Sequence, residues 1–166
     1  DRMAAFAGPD GRTILVRNHE VADEAVRHGP FGESMELADR VDPKKIYDVG
    51  VNGKGPWRGG TPTLVYDTRT QTLERHFLGL AGTKKNCAGG PTPWGSWVTC
   101  EEWTQKADDQ CAVDHGYCFD VPATAEPGLA DPVPLKAMGR FRHEAIAVDP
   151  ESGVVYLTED EHDGLL

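Results

Sequence analysis

Short segments of strand character, separated by turn residues, run along most of this sequence. Glycine (19 residues) and proline (12 residues) punctuate the chain throughout. Strands bounded by turn signals at intervals of about ten residues are typical of all-β sandwiches, barrels and propellers. The predicted strands are residues 12–18, 61–68, 72–80, 95–103, 116–122, 144–150 and 154–160.

Two predicted hairpins share one pattern, which favours a propeller among these folds. In "LVYDTRTQTLERHFL" (64–78) and "IAVDPESGVVYLTED" (146–160), a strand ends in Asp, a tight polar turn follows, and a second strand returns. Propeller blades are built from such repeated antiparallel hairpins. We therefore predict an all-β, β-propeller-like fold with antiparallel blades and long loops. Residues 19–40 lack the pattern; their composition allows a short helix, but we expect an excursion loop.

The negative net charge of the chain disfavours some classes of binding partner and favours others. Its 166 residues carry a formal net charge of -10, and 39% of them are hydrophobic, which is enough for the core of one domain. An acidic surface disfavours nucleic-acid binding, which requires basic patches. An abundance of carboxylates fits a protein that binds hard cations. No apolar run is long enough to span a membrane.

The four cysteines are too few for a disulfide-rich scaffold. Cys111 and Cys118 flank a loop, "CAVDHGYC", and could form a disulfide in an oxidising compartment or remain free. Cys87 and Cys100 do not have CxxC spacing, so a zinc ribbon is disfavoured.

Acidic residues recur at the ends of the predicted strands. They are Glu20, Glu101, Glu102, Glu144, Glu159, Asp160 and Glu161. In a propeller, the strand ends of neighbouring blades meet around a central channel. Carboxylates gathered there would repel one another and would need cations, and several of them together suit calcium. A thiolate among them would favour iron or zinc instead, so the set suggests a mixed metal site.

Each of these residues also has a simpler interpretation. Acidic residues at strand ends are usually solvated, and a cysteine is more often a buried core residue than a ligand. The metal hypothesis depends on several features that occur together in residues 82–103, "GTKKNCAGGPTPWGSWVTCEEW".

That stretch closely resembles the signature of the PhoX family of alkaline phosphatases. Residues 3–20, 59–67 and 139–160 resemble the family as well, so the resemblance covers most of the chain. It implies part of a six-bladed β-propeller, with residues 1–166 forming one partial domain of a longer chain. It also implies secretion or a periplasmic location, a phosphate-ester substrate, and calcium and iron as cofactors.

The resemblance implies roles for particular residues. Cys87 would supply the thiolate for iron, on a glycine-rich turn that approaches the metals closely. Glu101 or Glu102 would ligate the same cluster; we favour Glu102, because neighbouring strand residues point to opposite faces. Arg142 would bind a phosphate oxygen. The remaining metal ligands would be Glu20, Glu144, Glu159 and Asp160, with Asn18 as a further oxygen ligand.

Alternative functions follow from the same features. The first is a non-catalytic, secreted calcium-binding propeller module. A lactonase-like calcium propeller is less favoured, because it has no obvious use for the Asn-Cys-Ala-Gly-Gly segment.

Lys84 and Lys85 could contact phosphate, although a solvated loop is the more common arrangement. Neither a GxSxG elbow nor a P-loop is present in the sequence.

Overall fold

The computed structural model describes residues 2–21 and 29–164, and this part of the chain is all-β with antiparallel sheets. Four short 3-10 turns, each of three residues, are its helical elements. The strands are β1 (Met3–Ala7), β2 (Arg12–Arg17), β3 (Gly59–Asp67), β4 (Thr72–Thr83), β5 (Asn86–Pro91), β6 (Ser96–Glu101), β7 (Cys118–Pro122), β8 (His143–Val148) and β9 (Val155–Glu159). Within these residues, no helix combines the length and apolar character that crossing a bilayer requires.

The strands form three sheets in which each strand pairs with its neighbour in the chain. The first sheet is β1-β2-β3-β4, the second is β5-β6-β7, and the third is the hairpin β8-β9. Sequential antiparallel strands of this kind suit propeller blades, but residues 2–21 and 29–164 show no closed propeller and no ring of blades. The coarser expectation, an all-β antiparallel fold, is confirmed.

The second sheet is the central layer of the described residues, and the period of two along β6 explains why. Trp97 packs in a core with Ile14 and Leu80 of the first sheet. Its neighbour Val98 packs in another core with Ile146 of the third sheet. Because successive strand residues point to opposite faces, β6 must be apolar on both faces to separate two cores.

Two strands were missing from the prediction, and β5 is the more informative. The sequence predicts a glycine-rich turn over "CAGGPTPWG" (87–95). Its first part, "CAGGP", is instead strand, because it belongs to β5 and pairs with β6. A Cβ on Gly89 would lie 2.0 Å from the carbonyl oxygen of Val98, and one on Gly90 would lie 2.2 Å from that of Ile146. The glycines therefore let β5 fit closely between β6 and β8. The other missing strand is β1.

The long segment between β2 and β3 is an excursion loop where it is described. Residues 29–58 contain only turns and the short 3-10 elements Ala38–Arg40 and Pro43–Lys45. Phe31 and Ile46 anchor it in a small core with Ala81 of β4. The possible helix in residues 19–40 falls partly on residues 22–28, which lie outside the described residues.

Candidate metal centre

Five side chains with metal-binding atoms converge where β5, β6 and β8 meet. The ligand atoms of Glu20, Cys87 and Glu102 lie within 4.8 Å of one another, and so do those of Glu102, Glu144 and Asp160. Glu102 belongs to both groups and joins them. We call these five residues the acidic cluster.

The strand framework brings these residues together from distant parts of the sequence. Cys87 lies on β5 and Glu144 on β8, and the two strands pack closely through the backbone contact at Gly90. Glu102 directly follows β6, and its backbone N–H donates to the carbonyl oxygen of Lys85, 3.0 Å away. This bond fixes the point from which the Glu102 side chain projects.

Cys87 lies against the carboxylates of the cluster. Its Sγ is 3.4 Å from Oε1 of Glu144. Burial raises the pKa of the Cys87 thiol well above its usual range, and hydrogen bonds to Glu144 and Glu102 raise it further. Among these side chains alone, the thiol keeps its proton at neutral pH. A cation placed among the ligand atoms would oppose both effects and favour the thiolate.

A lysine contacts the shared ligand. The Lys85 ammonium lies 2.7 Å from Oε1 of Glu102, whose side chain is only 8% exposed. Burial alone would lower the pKa of Lys85, but the hydrogen bond and the charge of Glu102 outweigh it, so the pKa is raised. The neighbouring Lys84 is buried, and its ammonium lies 3.6 Å from the ring centre of Trp57. The expectation of a solvated loop was therefore wrong for Lys84.

Glu101 lies on the other face of β6 and is not part of the acidic cluster. Its carboxylate is fully buried and accepts hydrogen bonds from the backbone N–H groups of Lys84 (2.9 Å), Gly116 (2.8 Å) and Tyr117 (3.3 Å). The ring of His115 supplies a further contact, with Nδ1 2.7 Å from Oε1 of Glu101. These partners give Glu101 the contacts of a structural anchor.

His115 connects Glu101 to a second buried carboxylate. Its Nε2 lies 3.0 Å from Oδ2 of Asp48, and all three side chains are fully buried. Burial alone would lower the pKa of His115, but hydrogen bonds to Asp48 and Glu101 outweigh it and raise the pKa to about 9. Asp48 and His115 also have ligand atoms within 4.8 Å of that of Cys111. No sequence pattern indicated this group, because Asp48 lies in a loop distant from residues 82–103.

The other predicted site residues have different surroundings. The Nε of Arg142 lies 3.2 Å from Oε1 of Glu161, and both side chains are about half exposed. The backbone carbonyl of Arg142 accepts from the N–H of Asp160 at 3.0 Å, so Arg142 borders the acidic cluster. Glu159 pairs with His143 in the β8-β9 ladder and is not among the residues whose ligand atoms converge.

Asn18, expected as an oxygen ligand, is a buried link between sheets. Its Oδ1 accepts from Nε1 of Trp97 (2.8 Å) and Oγ1 of Thr99 (2.9 Å). Its Nδ2 donates to the carbonyl oxygen of Ala88 at 2.6 Å. These three hydrogen bonds connect the end of β2 to β5 and β6.

Comparison with known proteins gives one match. The family model described as alkaline phosphatase PhoX matches residues 1–166. Searches of curated proteins and of solved structures found no match. The match covers the full length of the sequence and includes every residue of the acidic cluster. The chain therefore belongs to the PhoX family of alkaline phosphatases.

Proposed function

We propose that this chain carries the metal centre of a secreted or periplasmic phosphomonoesterase that uses calcium and iron. Family membership supports a phosphatase in general and a phosphate ester as its substrate. One observation carries the metal proposal. The Cys87 thiol lies among carboxylates, and Glu102 belongs to both groups of converging ligand atoms.

The donor set fits the two cations. Glu20, Cys87 and Glu102 combine sulfur with oxygen, and sulfur is a ligand for iron rather than calcium. Glu102, Glu144 and Asp160 offer oxygen only, which suits calcium. When bound, such ions would supply charge neutralisation to a phosphate and lower the pKa of a coordinated water.

The side chains themselves have three tasks in this proposal. Glu102 sets the distance between the two groups of ligands, because it belongs to both. Arg142 binds a phosphate oxygen through its guanidinium, exchanging its exposed partner Glu161 for the substrate. Lys85 holds Glu102 in place through its ion pair.

The test measures metal content and p-nitrophenyl phosphate hydrolysis in the intact protein. Cys87→Ala and Glu102→Gln should each reduce hydrolysis by about 100-fold or more, with loss of iron. Measured after removal of metals with a chelator, their melting temperatures should stay close to that of the unmodified protein. Glu151→Gln, in the exposed turn before β9, serves as the control and should retain both properties. Glu101→Gln should instead lower the melting temperature.

A non-catalytic calcium-binding module is the second candidate, and the oxygen-only group favours it. The same measurements separate the two functions. Calcium without iron, and no hydrolysis by the unmodified protein, would support the module and refute the phosphatase. Arg142→Met should lower kcat/KM for the phosphate ester and leave the metal content intact if the phosphatase proposal is correct.

A further inference from the structure

Two cysteines outside the acidic cluster face each other across neighbouring strands. Cys100 on β6 and Cys118 on β7 are direct partners in the antiparallel ladder. Their sulfur atoms are 3.5 Å apart, and both residues are fully buried. The sequence left open whether Cys118 pairs with Cys111 or stays free, and a pairing with Cys100 was not expected.

The backbone around the two cysteines has the geometry that a disulfide needs. The carbonyl oxygen of Cys118 accepts from the N–H of Leu135 on the side away from β6. The next residue pair along the ladder is joined by a bond from the Glu101 N–H to the Tyr117 carbonyl oxygen, at 3.1 Å. Cys100 and Cys118 thus form a non-hydrogen-bonded pair, whose Cα atoms are about 4.5 Å apart in antiparallel sheets. That separation lies within the range of disulfides.

The remaining cysteines have other neighbours. Cys87 contacts Glu144 in the acidic cluster, whereas Cys111 lies beside Asp48 and His115. Only Cys100 and Cys118 have sulfur atoms recorded in contact in the described residues. They belong to the core that also contains Val98 and Ile146, which shields them from solvent.

We propose that Cys100 and Cys118 form a cross-strand disulfide in the mature protein. Two thiols lose two hydrogen atoms in this step, and the oxidant is the disulfide of a thiol oxidoreductase. One cysteine thiolate attacks that disulfide to give a mixed disulfide, and the other cysteine displaces the enzyme sulfur. The oxidoreductase leaves as a dithiol. Because both sulfurs are buried in the folded chain, the exchange takes place before β6 and β7 pack into the core.

The bond would close a loop that supports the metal centre. Residues 101–117 lie between the two cysteines and include both Glu102 and His115. A cross-link at the base of this loop lowers the conformational entropy of the unfolded chain. It also holds the end of β6, from which Glu102 projects.

Peptide mapping of the protein exported to an oxidising compartment tests the proposal. The protein is denatured without reductant, its free thiols are alkylated, and it is cleaved after aromatic and acidic residues. Cleavage at Trp97 separates Cys87 from Cys100, and cleavage at Asp114 separates Cys111 from Cys118. We expect alkylated Cys87 and Cys111, and a cross-linked peptide joining the other two cysteines. Alkylation of all four cysteines, or a link between Cys111 and Cys118, would overturn the proposal.

A thermal measurement gives an independent result. A reductant should lower the melting temperature of the unmodified protein by several degrees. The double variant Cys100→Ala, Cys118→Ala should no longer respond to the reductant, whereas Cys111→Ala, the matched control, should respond as the unmodified protein does. If the reductant does not change the melting temperature of the unmodified protein, the proposed disulfide is absent.

Discussion

The buried group of Asp48, His115 and Glu101 predicts that the protein loses stability in mildly alkaline solution. Both ring nitrogens of His115 face carboxylate oxygens, at 2.7 Å and 3.0 Å. Both contacts are hydrogen bonds only if both nitrogens carry hydrogen, so the ring is an imidazolium. This agrees with a pKa raised to about 9.

The size of the effect follows from the two pKa values. In the unfolded chain His115 has a pKa of about 6.5, against about 9 in the folded chain. The difference corresponds to about 3 kcal/mol of folding free energy. Because the folded-state pKa is the higher one, this stabilisation is fully present below about pH 6.5 and is lost as the pH rises through about 9.

The assay is urea unfolding at pH 6, 7.5 and 9.5, comparing the unmodified protein with His115→Gln. Other groups that titrate in this range contribute to both proteins, so the difference between them isolates His115. The stability advantage of the unmodified protein should shrink by about 3 kcal/mol across the range. His76→Gln, a variant of an exposed histidine on β4, is the control and should show the pH dependence of the unmodified protein. A constant difference between the unmodified protein and His115→Gln would refute the imidazolium.

Two further predictions concern the packing that supports the metal centre. Asn18→Leu should lower the free energy of unfolding by about 3 kcal/mol in urea titration, because it removes a hydrogen-bonding partner from the buried Trp97 indole N–H, the Thr99 hydroxyl and the Ala88 carbonyl oxygen. An unchanged value would mean that these contacts do not join the sheets. Gly90→Ala should weaken iron binding without removing a ligand, because the added Cβ would lie 2.2 Å from a backbone oxygen of β8. Metal analysis should show intact binding in Gly128→Ala, where nothing lies within 4 Å of the added atom, and equal binding in both variants would contradict the prediction.

Much of the strand arrangement could be predicted from local sequence. The hairpin of β8 and β9 was predicted within a few residues, because alternating apolar residues flank a turn built around Asp149 and Gly153. In β5 the same reasoning failed. Glycines usually mark turns, and the need for them here comes from β6 and β8, which are distant in sequence.

In the candidate site too, some features follow from local sequence, whereas others depend on residues that are distant in sequence. The period of two along β6 separates Glu101 from Glu102, and the structure places them on opposite sides of the strand. The partners of Glu101 could not be predicted, because His115 and Asp48 come from irregular loops that have no periodic pattern. Asn18 has the chemistry of both a ligand and a buried hydrogen-bonding residue, and only its surroundings decide between them.

The two adjacent glutamates make the acidic cluster dependent on the buried imidazolium. Glu101 accepts from the backbone N–H of Lys84, and the next carbonyl oxygen, that of Lys85, accepts from the N–H of Glu102. The Lys85 side chain then pairs with the Glu102 carboxylate. Anchoring Glu101 against His115 therefore fixes the segment of Lys84 and Lys85. This segment positions Glu102 through a backbone hydrogen bond and through the Lys85 ion pair. In the absence of a cation, four carboxylates and a thiol stay close together only if the surrounding structure fixes their positions, since the mutual repulsion of the carboxylates would otherwise separate them. The buried, hydrogen-bonded group of Glu101, His115 and Asp48 supplies that constraint for Glu102, and it does so without occupying any ligand atom of the cluster.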